Sequence, residues 1–160
     1  MSSLLIASDD PARADVTALL QTHADFALKE SPPDTCHFLD VTALKAPDIT
    51  FWSARVNEVL LGVVALKALD ARSGEVKSMH VAQAARGKGA GRALMEHLLD
   101  EARGRGYASL WLETGNTPGF HAALALYERL GFQRCPAFGC YQETDFNVFM
   151  TLDLTASHAA

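Results

Sequence analysis

Apolar positions along the chain alternate between short runs and longer helical stripes. Residues 4–7 form a short apolar run of strand length. Asp10 followed by Pro11 reads as a helix start, an N-cap carboxylate with proline at the first helical position. Val16, Leu19, Leu20, His23, Phe26 and Ala27 then recur at three- and four-residue steps, so one helix face is apolar to about Leu28. From residue 29 to 47 the pattern weakens. Ser31-Pro32-Pro33-Asp34 breaks any helix, and residues 36–44 hold at most a short second one.

Ile49–Val56 and residues 59–69 are β-rich runs separated by Asn57-Glu58, the spacing of a tight hairpin. After the turn at residues 70–74, a third strand is expected over residues 75–81, completing an antiparallel meander. Residues 89–103 place Leu94, Met95, Leu98, Leu99 and Ala102 on one helical face, with Gly104 and Gly106 as stops. A strand over residues 107–113 and a helix over residues 118–130 follow, the helix carrying Phe120, Leu124, Tyr127 and Leu130 and ending at Gly131. Strands over residues 137–141 and 147–154 close the pattern, and residues 155–160 read as a frayed tail. The order β-α-(α)-β-β-β-α-β-α-β-β predicts a single α/β domain over residues 1–160, of the α+β type with a mixed sheet.

Charge narrows the class of ligand. The chain of 160 residues has a formal net charge of -5, which argues against a broadly basic nucleic-acid face. The local cluster Arg86, Lys88 and Arg92 therefore suits a compact anion. Cys36, Cys135 and Cys140 have neither CxxC spacing nor a nearby histidine pair, so no metal site is expected and a reducing compartment fits. The first residues lack a basic region and a long apolar run, and no segment reaches about 18 uninterrupted apolar residues, so a cytoplasmic protein without membrane association is expected.

The chemistry centres on Arg86-Gly87-Lys88-Gly89-Ala90-Gly91. This segment follows a strand and opens a helix, whose first amides have no intrahelical acceptor and carry the positive end of the macrodipole. Glycines allow close approach to those amides and the cations add charge, which makes a pyrophosphate the natural guest. A Walker A loop needs GxxxxGK followed by Ser or Thr, and that order is absent. A dinucleotide fingerprint belongs in the first βα turn of a parallel sheet, whereas this loop follows a meander.

The segment Glu75-Val-Lys-Ser-Met-His-Val81 followed by Arg86-Gly-Lys-Gly-Ala-Gly91 resembles the acetyl-CoA segment of the GNAT superfamily of N-acetyltransferases, Arg/Gln-x-x-Gly-x-Gly/Ala. Ala125-Leu-Tyr127-Glu-Arg-Leu-Gly131-Phe132 is similar to the second motif of that family, a helix carrying a tyrosine and ending in Gly-Phe. The resemblance implies a GNAT-like fold whose meander is followed by a β-α-β-α-β-β half, with a V between the central strands that admits pantetheine. It implies acetyl-CoA as co-substrate, paired by the main chain of Met79, His80 and Val81. Its pyrophosphate would lie on amides from Gly87 to Gly91, including Gly89 and Ala90, beside Arg86, Lys88 and Arg92. A homodimer is common among relatives.

Acetylating an amine requires a neutral nitrogen, yet a lysine-like amine has a pKa of about 10.4. Glu75 and Glu113, on the strands that would frame the V, are the candidate bases, directly or through water; His80 ranks below them. Tyr127 occupies the position of the family tyrosine and is the candidate acid toward the leaving thiolate. Where many relatives carry an asparagine seven residues before that tyrosine, this chain has Phe120, and the asparagine's pantetheine contact does not transfer. Residues 31–39, Trp52, Arg55 and residues 138–141 are candidates for acceptor binding; Cys140 has no adjacent base to make it a nucleophile. The expected reaction is direct acetyl transfer to a small-molecule amine. Protein or peptide acetylation and non-catalytic acyl-CoA binding are the alternatives.

Overall fold

The computed structural model describes residues 3–32 and 41–155. Seven strands form one sheet: β1 (Leu5–Ser8), β2 (Ile49–Val56), β3 (Val59–Asp70), β4 (Ser73–Val81), β5 (Ser109–Gly115), β6 (Gln133–Cys135) and β7 (Asn147–Asp153). Their order across the sheet is β1-β2-β3-β4-β5-β7-β6. The β4–β5 pair is parallel and every other neighbouring pair is antiparallel. The helices are α1 (Ala14–Glu30), α2 (Val41–Leu44), α3 (Ala90–Gly104) and α4 (His121–Arg129).

The β2–β3 hairpin closes through Asn57 and Glu58, both at positive φ (49° and 70°). That is the backbone of a two-residue turn matched to the right-handed twist of its strands. Both long C-terminal helices stop on a glycine in the left-handed region. At the end of α4, Gly131 has φ 102°, and Phe132 N donates to Tyr127 O while Gly131 N donates to Glu128 O, the double bond of a Schellman cap. Gly106 and Tyr107 repeat this pattern after α3.

The two faces of the sheet bury separate cores. On one face α3 and α4 pack Leu94, Met95, Leu98, Leu124 and Tyr127 against Val64, Leu66, Val76, Leu110, Leu112 and Met150. On the other, α1 and α2 pack Val16, Leu19, Leu20 and Leu44 against Phe51, Val63 and Ala65. Strand alternation sorts the residues of β5, and those of β4 as far as Lys77, to one or other of these faces.

Some expected boundaries move. Helix α1 begins at Ala14, because the Asp10 carboxylate accepts from Ala12 N and the Asp10 carbonyl from Arg13 N, closing a turn ahead of the helix. The strand expected over residues 137–141 is instead Gln133–Cys135, paired with Phe149–Thr151 of β7, while residues 136–146 cross the sheet face without joining it. Strand β4 starts two residues earlier than expected, at Ser73. The helix over residues 118–130 divides into a 3-10 turn, Pro118–Phe120, and α4. Of the short helix expected over residues 36–44, the part 36–40 lies outside the described residues and Val41–Leu44 is helical; the tail beyond 155 also lies outside them.

Candidate active site

The parallel register of β4 and β5 runs from Ser73 opposite Ser109 to Val76 opposite Leu112 and stops there. Both strands continue, β4 to Val81 and β5 to Gly115, so the sheet opens into a V. The cause is local to β4. Its register with β3 slips between Val63–His80 and Ala65–Lys77, and Ser78 in the extra space has φ 56°. A bulge bends its strand and increases local twist, which carries β4 away from β5 while leaving it paired to β3. Beyond Val76 the outer backbone edge of β4 therefore faces a cleft of about 370 Å³.

The cleft passes through the sheet and has two mouths. On the α3/α4 side it is lined by Met79, Val81, Arg86, Gly87, Gly89, Ala90, Gly91, Arg92, Leu126 and Tyr127. Gly89 is the N-cap of α3 at φ 82°, and Gly87 has φ 80°. A Cβ at either would meet nothing within 4 Å, so these glycines serve backbone conformation and leave open space over the helix terminus. Gly91 differs: a Cβ there would come 3.0 Å from Met79 Cε, so its bareness lets α3 close on β4. Arg86 and Arg92 border the cradle, Arg92 also pairing with Glu96 at 3.3 Å. Lys88 is exposed and does not line the cleft.

On the α1 side lie His23, Phe26, Lys77, His80, Glu113, Phe120 and Phe146. Lys77 and His80 stand opposite Ala65 and Val63, members of the α1-side core, so they share that face. Glu113 alternates with Leu110 and Leu112 of the other core and also faces α1. Asn147 Nδ2 donates to Glu113 Oε2 at 2.7 Å. Tyr127, on the opposite face, is 5% exposed. Burial pushes its phenol well above the ordinary range, and the Glu113 charge adds to the shift, so the two groups sense each other across the V.

Glu75 takes a different part from Glu113. It is buried at 4% exposure, is not among the cleft-lining residues, and accepts from Lys77 Nζ at 3.2 Å and Tyr141 Oη at 2.5 Å. Lys77 Nζ also lies 2.6 Å from Tyr141 Oη, which closes a triad. Burial, followed by the hydrogen bond to Glu75, raises the Tyr141 phenol out of the physiological range. The loop that carries Tyr141 lays Phe138 over Trp111 and Phe149, with centroids at 5.4 and 5.9 Å. The Glu75–Lys77 pair was open to sequence reasoning, since i and i+2 on a strand share a face; Tyr141 gave no local signal for joining it.

His23 and His80 meet at Nδ1–Nδ1 3.1 Å. Burial lowers both to about 4, and for His80 the neighbouring His23 and then Arg86 push the same way. Both rings are thus neutral near pH 7, and the short contact requires one Nδ1 to donate and the other to accept, so the rings hold opposite tautomers.

Two expected acceptor residues are structural. Trp52 is 3% exposed in the α3-side core, edge-on to His97. Arg55 holds Asp15 through two bonds of 2.6 and 3.1 Å and reaches Asp9 at 3.0 and 3.2 Å, pinning the start of α1 to β2. Of residues 31–39, Ser31 lines the cleft and 33–39 lie outside the described residues. Cys140 is an exposed free thiol on the crossing loop. No group of three or more His, Cys, Asp or Glu side chains that could hold a metal occurs among the described residues, and no helix there is long and apolar enough to cross a membrane.

A sheet split beside a helix-terminal anion cradle, with a buried tyrosine between the mouths, is the architecture of an acyltransferase that uses a phosphate-bearing acyl carrier. Residues 15–132 match the family model of the GNAT acetyltransferases, and the chain belongs to that family. It is 42% identical over 146 residues to the uncharacterised N-acetyltransferase YsnE of Bacillus subtilis strain 168, covering 91% of this chain and 97% of that protein. A Klebsiella pneumoniae protein assigned to the acyl-CoA N-acyltransferases superposes with a TM-score of 0.80 at 29% identity, covering 94% and 97% of the two chains. A Bacillus subtilis acetyltransferase solved in complex with CoA shares the fold, with a TM-score of 0.69 at 19% identity over 94% and 99%.

Proposed function

We propose that this chain transfers the acetyl group of acetyl-CoA to a primary amine of a small molecule, by direct attack and without a covalent enzyme intermediate. The observation that carries the reading is the through-sheet opening beyond Val76 and Leu112, which joins an anion cradle at one mouth to a carboxylate at the other. The reading takes residues 1–160 as one domain. The donor fits the residues present: open glycine backbone at Gly87 and Gly89, unpaired first-turn amides of α3 and two arginines at the rim suit a pyrophosphate. The outer backbone edge of β4 at Met79, His80 and Val81 suits an extended pantetheine arm. Ser78 Oγ is buried without a hydrogen-bond partner beside that edge, a polar group the protein itself does not satisfy.

In the reaction a C–N bond forms and a C–S bond breaks. The ammonium must first lose a proton, which Glu113 on the acceptor face is positioned to take, directly or through water. Amides on the free edge of β4 then stabilise the oxygen on which negative charge develops. Tyr127, held protonated by burial and by Glu113, is a weaker acid than a thiol of pKa about 8.5. Its role is to donate a hydrogen bond to the departing sulfur, and the proton that finally resides there comes from the acylated nitrogen. Glu75, paired with Lys77, serves to hold the Tyr141 loop against the sheet. The cleft lies toward the small end of the ligand-site range, about 300–1,000 Å³, which favours a small acceptor. The test is amine-dependent release of CoA thiol from acetyl-CoA, with the acetylated product confirmed by mass. Acetyl-CoA binding without turnover over a broad set of amines and peptides would leave only a binding module.

A further inference from the structure

The acceptor mouth has a composition that selects among amines. Three phenylalanines from separate parts of the chain stand in contact: Phe26 of α1 lies 5.1 Å from Phe120, and Phe120 lies 5.6 Å from Phe146 by ring centroids. The neutral histidine pair extends this wall, His80 at 6.4 Å from Phe26 and His23 at 4.8 Å from His80. The rings are fixed by bare main chain behind them. A Cβ at Gly119 would fall 2.9 Å from the Phe26 ring, and a Cβ at Gly115 would collide with Phe146 and come 2.8 Å from Phe120. A preformed aromatic wall loses little freedom when a flat ligand lies on it.

The charges at this mouth are equally restrictive. Among the described residues that line the cleft, the carboxylate is Glu113. The Lys77 ammonium is matched by Glu75 at 3.2 Å. An ammonium beside Glu113 can therefore be neutralised, while a second one lying against the phenyl rings or beside Lys77 would be desolvated, which is costly. We propose that the acceptor is a monoamine with an aromatic or similarly broad apolar body, lying on the Phe26–Phe120–Phe146 wall with its nitrogen toward Glu113. This rests on the acetyl-transfer reading and yields the N-acetylated amine and CoA thiol.

The experiment compares phenethylamine, ethylamine, spermidine and a lysine-containing peptide as acceptors with acetyl-CoA, in the parent protein and in Phe26→Ala and Phe26→Leu. Phe26 lies on α1, away from the donor cradle, and the leucine variant keeps an apolar filler should alanine loosen the helix. The expected kcat/KM for phenethylamine exceeds that of each other acceptor by about tenfold or more, consistent with burying a ring and stacking it. Phe26→Ala should lower the phenethylamine-to-ethylamine ratio about fivefold or more, with Phe26→Leu between. Preference for spermidine or the peptide, a ratio near one, or a ratio unmoved in both variants overturns the proposal. If no amine releases CoA thiol, the acetyl-transfer reading fails separately. Calorimetry of phenethylamine against spermidine on the CoA-saturated protein then decides the pocket: selective phenethylamine binding upholds its aromatic preference, and no binding or preferred spermidine overturns it.

Discussion

The two mouths of the cleft are built by opposite means. The mouth proposed for the donor is made from one continuous stretch of chain, the end of β4, the glycine loop and the first turn of α3, and what it offers a ligand is chiefly main-chain amides. The acceptor mouth gathers side chains from α1, β4, β5, the 3-10 turn before α4 and the approach to β7. A donor held in common by one family can be held by one cradle, so that half can be written as a local motif. The acceptor half is defined only by which distant side chains the fold brings together, and it can change one ring at a time.

The sharpest way to break the donor half is Gly89→Glu. Position 89 sits at φ 82° with open space above it, so the substitution strains the N-cap and puts a negative charge where the pyrophosphate would lie. Acetyl-CoA affinity in calorimetry should fall by about 100-fold or more, since both the helix terminus and its flanking cations are opposed. Unchanged affinity would remove the cradle assignment. Between the mouths, Tyr127→Phe should lower kcat by about 10- to 100-fold, the equivalent of one charge-assisted hydrogen bond. Acetyl-CoA affinity should stay nearly constant, and an unaltered kcat would remove the tyrosine from the chemistry.

This contrast also accounts for what could be read without coordinates. The meander, the α3 stripe and the Gly131 cap rest on local periodicity and turn chemistry, and each appears where expected within a few residues. The direction in which β4 and β5 part depends on a bulge at Ser78, a residue with no sequence signature for positive φ. Glu75 and Glu113 were indistinguishable as strand carboxylates, and the distinction comes from Tyr141, 66 residues beyond Glu75 along the chain. Arg55 and Trp52 looked like ligand contacts because the acidic partners of one and the core around the other are distant in sequence. Of the Phe26–Phe120–Phe146 wall, the sequence marks Phe26 and Phe120 only as members of separate helical stripes, the latter standing where many relatives carry a polar pantetheine contact, and it gives no sign of Phe146.

The carboxylates sharpen the comparison within one strand pair. Glu113→Gln should reduce kcat/KM for the amine by about tenfold or more, the lower range of what a positioned base contributes, without altering acetyl-CoA affinity. Glu75→Gln should act chiefly on stability, because it leaves the buried Lys77 ammonium facing an amide in place of a carboxylate. A loss of about 2–3 kcal/mol is expected, below the full effect of breaking a buried pair because the amide oxygen still accepts a hydrogen bond. A thermal melt together with steady-state kinetics separates the two. A Glu75 variant that melts normally but has lost its rate would move the base to Glu75.

The smallest effect is a pH dependence of stability that originates at the acceptor mouth. His23 and His80 are held at about 4 in the folded chain, against 6.5 for an unburied imidazole. Above pH 6.5 both states leave the rings neutral and the pair contributes no slope. Between 6.5 and 4 the unfolded chain binds protons that the folded chain refuses, so the pair lowers stability as pH falls through that window and its contribution levels off below it. The carboxylates of Asp9 and Asp15, lowered through their bonds to Ser53 and Arg55, titrate below 3.8 and leave the window largely to the histidines. Thermal melts should therefore decline by several degrees from pH 7 to pH 4.5. His23→Phe should flatten part of that decline, since it removes one of the two rings and keeps an aromatic body against His80. An identical slope in the variant would mean that His23 is free to protonate in the folded state, and that the wall beside Phe26 carries charge at mildly acidic pH.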